Sequence, residues 1–122
     1  MTTISTWLSM VVLLLAGCAK PIPSFDHVDL TGWKKDKNGC MGLRITMDSA
    51  LIAQKHKLQA LDEKQIVALL GKPDQNELYN RNQKFYRYFI SPGKACHDSI
   101  TVSTMLVIRF NAIGLAKEIS IE

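Results

Sequence analysis

The sequence predicts an α+β fold: two N-terminal helices packed on one face of a three- to four-stranded antiparallel β-meander. Three observations predict it. From about residue 46 to residue 70, apolar residues recur at helical spacing. From Glu77 to the C-terminus they alternate with period two, interrupted by turn chemistry. Gly71 and Pro73 sit between the two regimes and end the helical one. A run of helices followed by hairpin-linked strands is the pattern of an α+β domain.

The chain opens with a segment of different character. Leu8 to Ala16 is apolar but shorter than the roughly 20 residues a membrane-spanning helix needs. It fits the h-region of a secretory signal, and Leu15-Ala16-Gly17-Cys18 has the form of a lipobox. Residues 1–17 are therefore expected to be a lipoprotein signal peptide. Cys18 is expected to become the first mature residue, with a diacylglyceryl group on its thiol and an acyl chain such as palmitate on its amine. Such an anchor holds the protein to the membrane, since each buried CH₂ contributes about 0.8 kcal/mol. Ala19 in place of Asp favours the outer membrane, facing the periplasm, by analogy with enteric sorting. Pro21 and Pro23 favour extended backbone, so residues 18–31 are expected to be the lipidated N-terminus and an extended tether. Residues 32–122 remain for a single domain.

Gly32 to Arg44 is rich in glycine and charge and is expected to be a loop, pinned by Cys40 and by packing of Trp33. The first helix begins near Thr46 or Asp48, either of which can cap it, with Met47, Leu51 and Leu58 on one face. The second spans about residues 62–70. Asp62 and Gln65 form a capping box, Leu61 and Ile66 a staple, and Ile66, Leu69 and Leu70 the apolar stripe. Gly71 is expected in the left-handed helical region just past its end. Strands follow at Glu77–Tyr79, Phe85–Ile90, Thr101–Phe110 and Leu115–Glu122. Leu106, Ile108 and Phe110 face one way and Met105 and Val107 the other. In the last strand Lys117, Ile119 and Ile121 oppose Glu118, Ser120 and Glu122.

Composition bounds the function. The net charge of +4 is mild, and Lys34, Lys35 and Lys37 are offset by Asp29 and Asp36. No basic stripe carries interleaved aromatics, which argues against nucleic acid. With Cys18 consumed by lipid, Cys40 and Cys96 remain, and an exported small domain gains from a staple. A Cys40–Cys96 disulfide is expected, closing a loop of roughly 55 residues. The alternative, a metal or redox site at Cys40, Cys96 and His97, lacks both a C-x-x-C pair and ligand spacing, so no metal and no cofactor are expected.

Catalytic parts are also missing from the sequence. His27 lies in the tether, His56 on a lysine-flanked helix surface and His97 in a loop. None belongs to a His-x-Glu, Gly-x-Ser-x-Gly or Glu-x-x-His element. Asp62 and Glu63 are explained by the N-terminal end of a helix dipole. An enzyme is not expected. The aromatic hairpin is the better candidate for function: by strand alternation about half of its aromatics face away from the core. The candidate interface is Tyr79, Phe85, Arg87 and Phe89, with Lys94 and His97 from the loop that follows.

One local signature adds to this. Gln65-Ile-Val-Ala-Leu-Leu-Gly-Lys-Pro-Asp74 is followed by Tyr86-Arg-Tyr88, Met105-Leu-Val-Ile-Arg-Phe110 and Gly114-Leu-Ala-Lys-Glu-Ile119. With a lipobox ahead of it, this order resembles the SmpA/OmlA (BamE)-like family of small outer-membrane lipoproteins. It is also similar to the helix–helix–sheet unit of β-lactamase inhibitor protein domains. The resemblance covers about residues 45–122. It implies a non-enzymatic interaction or adaptor subunit, engaging a protein partner in outer-membrane protein assembly or envelope integrity. The alternative expectation is an inhibitor or immunity lipoprotein that blocks a periplasmic hydrolase or toxin.

Overall fold

The computed structural model describes residues 20–122. The expected signal peptide, residues 1–17, and the expected lipid attachment at Cys18 lie outside the described residues. The fold is α+β. Four short helices occupy the N-terminal half: α1 (Leu30–Lys35), α2 (Leu43–Thr46), α3 (Asp48–Gln54) and α4 (Glu63–Leu70). Four strands follow: β1 (Gln75–Tyr79), β2 (Gln83–Phe89), β3 (Met105–Phe110) and β4 (Ala116–Ile121). They form one antiparallel sheet in the order β1-β2-β3-β4, a meander.

The local chemistry of α4 is as its residues dictate. Asp62 accepts the N–H of Gln65 at 2.8 Å, and the Gln65 amide oxygen accepts the N–H of Asp62 at 3.0 Å. Two of the orphan donors at the helix start are thereby satisfied. The end of α4 departs from expectation. Gly71 has φ +79° and ψ −175°, outside the left-handed helical region but in one open essentially to glycine alone. That geometry turns its carbonyl toward the Tyr88 hydroxyl, which donates to it at 2.8 Å.

The expected first helix is the shorter α3, and neither expected cap holds it. Met47 occupies the capping position, Thr46 Oγ1 donates backwards to the carbonyl of Leu43, and Asp48 accepts from Ser49. A 3-10 turn over Lys55–Leu58 carries the chain on, which keeps Leu58 in the core. The expected loop Gly32–Arg44 is in fact largely helical: it includes most of α1, a 3-10 turn at Lys37–Gly39 and the start of α2. The cause is Asp36. Its buried carboxylate accepts the N–H groups of Met41, Leu43 and Arg44 at 2.6, 2.9 and 2.9 Å, a partner set that the local sequence pattern does not announce.

Strand positions of one parity (Tyr86, Tyr88, Leu106, Ile108, Phe110 and Ile119) join Trp33, Leu51, Leu58, Leu61, Ile66 and Leu70 in a single buried cluster. Between Arg109 and Phe110 the register shifts: Arg109 faces Glu118, but Phe110 faces Ala116. This bulge leaves Lys117 unpaired and exposed, so Ala116 rather than Lys117 shares the core side with Ile119.

Residues 20–29, expected to stand off the domain, lie along it. The Gln54 amide grips Asp26 at both backbone atoms, accepting its N–H at 2.8 Å and donating to its carbonyl at 2.7 Å. Lys57 Nζ donates to the carbonyl of Ser24 at 3.0 Å. Lys20 Nζ donates to the carbonyls of Lys57 and Gln59 at 3.0 and 2.7 Å, while Gln65 Nε2 donates to the carbonyl of Lys20. Phe25 and Val28 are half-buried against the core cluster.

Candidate functional site

Cys40 and Cys96 form a disulfide, with their Cα atoms 5.3 Å apart. Beside it lies a buried polar knot. Arg44 is 1% exposed and the Asp74 side chain 3%. Arg44 Nη1 bonds Asp74 Oδ2 at 2.5 Å and the carbonyl of Phe89 at 3.0 Å, and its Nε donates to the carbonyl of Trp33 at 3.0 Å. Its guanidinium carbon stands 4.8 Å from the centroid of the Trp33 ring. Asp74 further accepts the N–H groups of Asn38 and Phe89 at 3.0 and 2.8 Å. A buried charge survives only when it is paired and hydrogen-bonded in this way. These groups are committed to one another, and together with the disulfide they tie α1, α2, the α4–β1 connection and the end of β2 into one frame.

That frame positions the hairpin. In β1–β2 the register sets Glu77 against Phe85 and Tyr79 against Gln83, so Tyr79, Glu77, Phe85 and Arg87 share the parity opposite to the core residues Tyr86 and Tyr88. They touch. The Tyr79 and Phe85 rings meet edge to face with centroids 5.0 Å apart. Arg87 lies over Phe85 at 5.5 Å. Arg87 Nη1 is 2.7 Å from Glu77 Oε1, a charge contact outside hydrogen-bond angles. The Tyr79 hydroxyl donates to Glu77, and this bond first, then Arg87, holds the Glu77 carboxyl below its ordinary value. Tyr79 is nevertheless 50% exposed, and the next-door Leu78 more so.

The six expected interface residues thus separate. Tyr79, Phe85 and Arg87 come together on one surface. Phe89 shares their parity but is only 8% exposed, because Gly93 lies against its ring. Phe89 is a floor for the loop rather than a contact residue. A Cβ at position 93 would stand 2.9 Å from that ring, which is why the loop can close only with glycine there. Lys94 is exposed and borders a shallow depression of about 450 Å³ whose walls include Phe89, Ile100 and Met105. His97 is exposed as well. Its Nδ1 accepts from Ser99, 2.6 Å from the hydroxyl oxygen and 3.3 Å from the amide nitrogen, a local loop closure, and no third group among the described residues orients the ring.

Glu77 is the residue that sequence reasoning missed. Its signal was available: alternation from Tyr79 places it on the same face, and a carboxylate two residues from a tyrosine and across from an arginine-bearing strand invites pairing. Farther along the same side of the sheet, Arg109 Nη2 meets Glu118 Oε2 at 2.9 Å. The surface is therefore aromatic at the β1–β2 end and zwitterionic across β3–β4. No protein-family model, curated protein or solved structure matches this chain.

Proposed function

We propose that the protein is a lipid-anchored, non-enzymatic envelope adaptor that captures a protein partner on the exposed end of the β1–β2 hairpin. The observation that carries this is the Tyr79–Phe85–Arg87–Glu77 cluster. Its members contact one another, and it presents a half-exposed tyrosine, a residue type that dominates binding hot spots, beside an arginine whose side chain is 15% exposed. In this reading the helices occupy the opposite face of the sheet, which the shared parity of the strand residues in the core cluster supports. Membership of the SmpA/OmlA (BamE)-like family, acylation at Cys18 and attachment to the outer membrane belong to the same proposal. They rest on the lipobox and on the order of motifs in the sequence.

The test is site-specific photo-crosslinking in intact envelopes, with the probe at Tyr79 or Phe85 and, as a control, at Lys35. A crosslink to one envelope protein from the hairpin positions, lost from the Phe85 probe in Tyr79→Ala and absent from Lys35, is the expected result. Equal labelling from all three positions overturns the interface. Capture of a secreted hydrolase or toxin at the same positions would replace the adaptor with an inhibitor or immunity role.

A further inference from the structure

The positive excess of the chain is not spread evenly in space. Lys34 ends α1, Lys37 opens the 3-10 turn after it, and Lys72 follows α4. These three line one cleft of about 330 Å³, with Asn38, Pro73 and Asp74 completing it. Among the described residues, none of the three has a carboxylate within 4 Å. The two acidic residues nearby are turned inward. Asp74 is taken by Arg44 and two backbone N–H groups, and Asp36 by three backbone N–H groups. Together Lys34, Lys37, Lys72 and Arg44 outnumber Asp36 and Asp74 by two charges, half of the chain's net +4.

A helix C-terminus favours a cation, which accounts for Lys34 and Lys72 one at a time. It does not account for three lysines, none with a carboxylate partner among the described residues, lining one concavity, where like charges raise one another's energy. The cleft is also built before any ligand arrives. Asn38 is held at φ +58°, with its N–H on Asp74 and its carbonyl accepting from Gly93 at 3.2 Å. Two residues on, Cys40 is bonded to Cys96. Such a floor lowers the ordering cost of binding.

The donor chemistry narrows the ligand. A planar carboxylate is best met by the fork of an arginine, but Arg44 is buried and committed inward. Three ammonium groups act as point charges and suit a compact, multiply charged, tetrahedral oxyanion. We propose that the cleft between Lys34, Lys37 and Lys72 binds a phosphate-bearing ligand, with the phosphate among the three ammonium groups and the rest of the ligand in solvent. This site is independent of the hairpin and stands whether or not the hairpin binds a protein.

The experiment is an amide NMR titration of the purified protein with pyrophosphate at constant ionic strength. The expected result is a saturable shift confined to the amides of residues 34–38, 71, 72 and 74. Affinity should fall at least tenfold in Lys34→Gln/Lys37→Gln/Lys72→Gln and less than twofold in the charge-matched Lys64→Gln/Lys94→Gln/Lys117→Gln. Equal weakening in the two triple variants, or no saturation at 10 mM, overturns the site. So does a tetraglutamate peptide that binds more tightly than pyrophosphate. Competition then identifies the source of the phosphate. Displacement by dihexanoyl phosphatidic acid at concentrations tenfold below those of glycerol 3-phosphate assigns a lipid headgroup, and equal displacement assigns a free phosphate ester.

Discussion

Removing Asp74 should cost more than removing Arg44, although the two form one ion pair. In Asp74→Ala the guanidinium of Arg44, 1% exposed, loses its counter-charge, and the N–H groups of Asn38 and Phe89 lose their acceptor. Breaking a buried pair from one side costs about 3–5 kcal/mol, and each orphaned buried donor adds to that by about 1–3 kcal/mol where water cannot reach it. In Arg44→Met the Asp74 carboxylate keeps both of those donors, and the methionine fills part of the volume under Trp33. The expected loss is then at the lower end, about 3 kcal/mol. The double variant Arg44→Met/Asp74→Leu should be more stable than Asp74→Ala, because no charge is left buried. For a domain of about 100 residues, 3 kcal/mol lowers the melting temperature by at least about 12 °C. Urea unfolding of all four proteins, compared at a common m value, measures these differences. A loss below about 1 kcal/mol in Asp74→Ala, or a double variant that loses the sum of the two single changes, refutes the reasoning.

Three further outcomes follow from the geometry. Replacing Cys40 and Cys96 by alanine opens a loop of sequence separation 56, and denaturant unfolding should show a loss of about 4 kcal/mol on the chain-entropy model. The Glu63 carboxyl is held below its ordinary value, foremost by its bond to Lys84 and also by the Tyr86 hydroxyl, against burial. A depressed carboxyl stabilises above its unfolded pKa and loses that contribution as pH falls through the folded one. Glu63→Gln should thus cost about 0.5–1 kcal/mol at pH 7 and progressively less as pH falls through the folded pKa, read from unfolding midpoints between neutral and acid pH. Gly39→Ala and Gly42→Ala both place alanine at positive φ, but only at Gly39 would the new Cβ meet backbone, 2.9 Å from the carbonyl oxygen of Ser91. Thermal unfolding should show about 1–2 kcal/mol lost at Gly42 and distinctly more at Gly39.

What the sequence revealed was what its neighbours in the chain decide. The capping box of α4 is closed by residues three apart, and the strands show their period within six residues, so both were legible. The helices α1 and α2 were not. They are six and four residues long, too short to form on propensity: beyond the local cap of α1 by Asp29 they are held by the buried Asp36 carboxylate, by the disulfide and by the long-range bonds of Arg44. Arginine is a surface residue by habit, and nothing around Arg44 in the sequence marks it as buried. The same holds for the candidate site. Alternation brought Tyr79, Phe85 and Arg87 to one side correctly, but it could not show that the loop at Gly93 would fold over Phe89. Pro21 and Pro23 described extended backbone well. They were silent on whether that backbone would stand free, since the residues that hold it, Gln54, Lys57 and Gln65, lie some thirty to forty positions away.

That grip on the N-terminal segment changes what a lipid on Cys18 would do. A free coil of fourteen residues would let the domain roam over roughly 20 Å. Lys20 is instead fastened to Lys57, Gln59 and Gln65, and the two bonds of chain from its Cα to that of Cys18 span at most about 7 Å. An acyl anchor there would fix the protein like a bracket screwed to a wall. One side would rest on the headgroups, and the direction in which the sheet looks would be set by Gln54, Lys57 and Gln65.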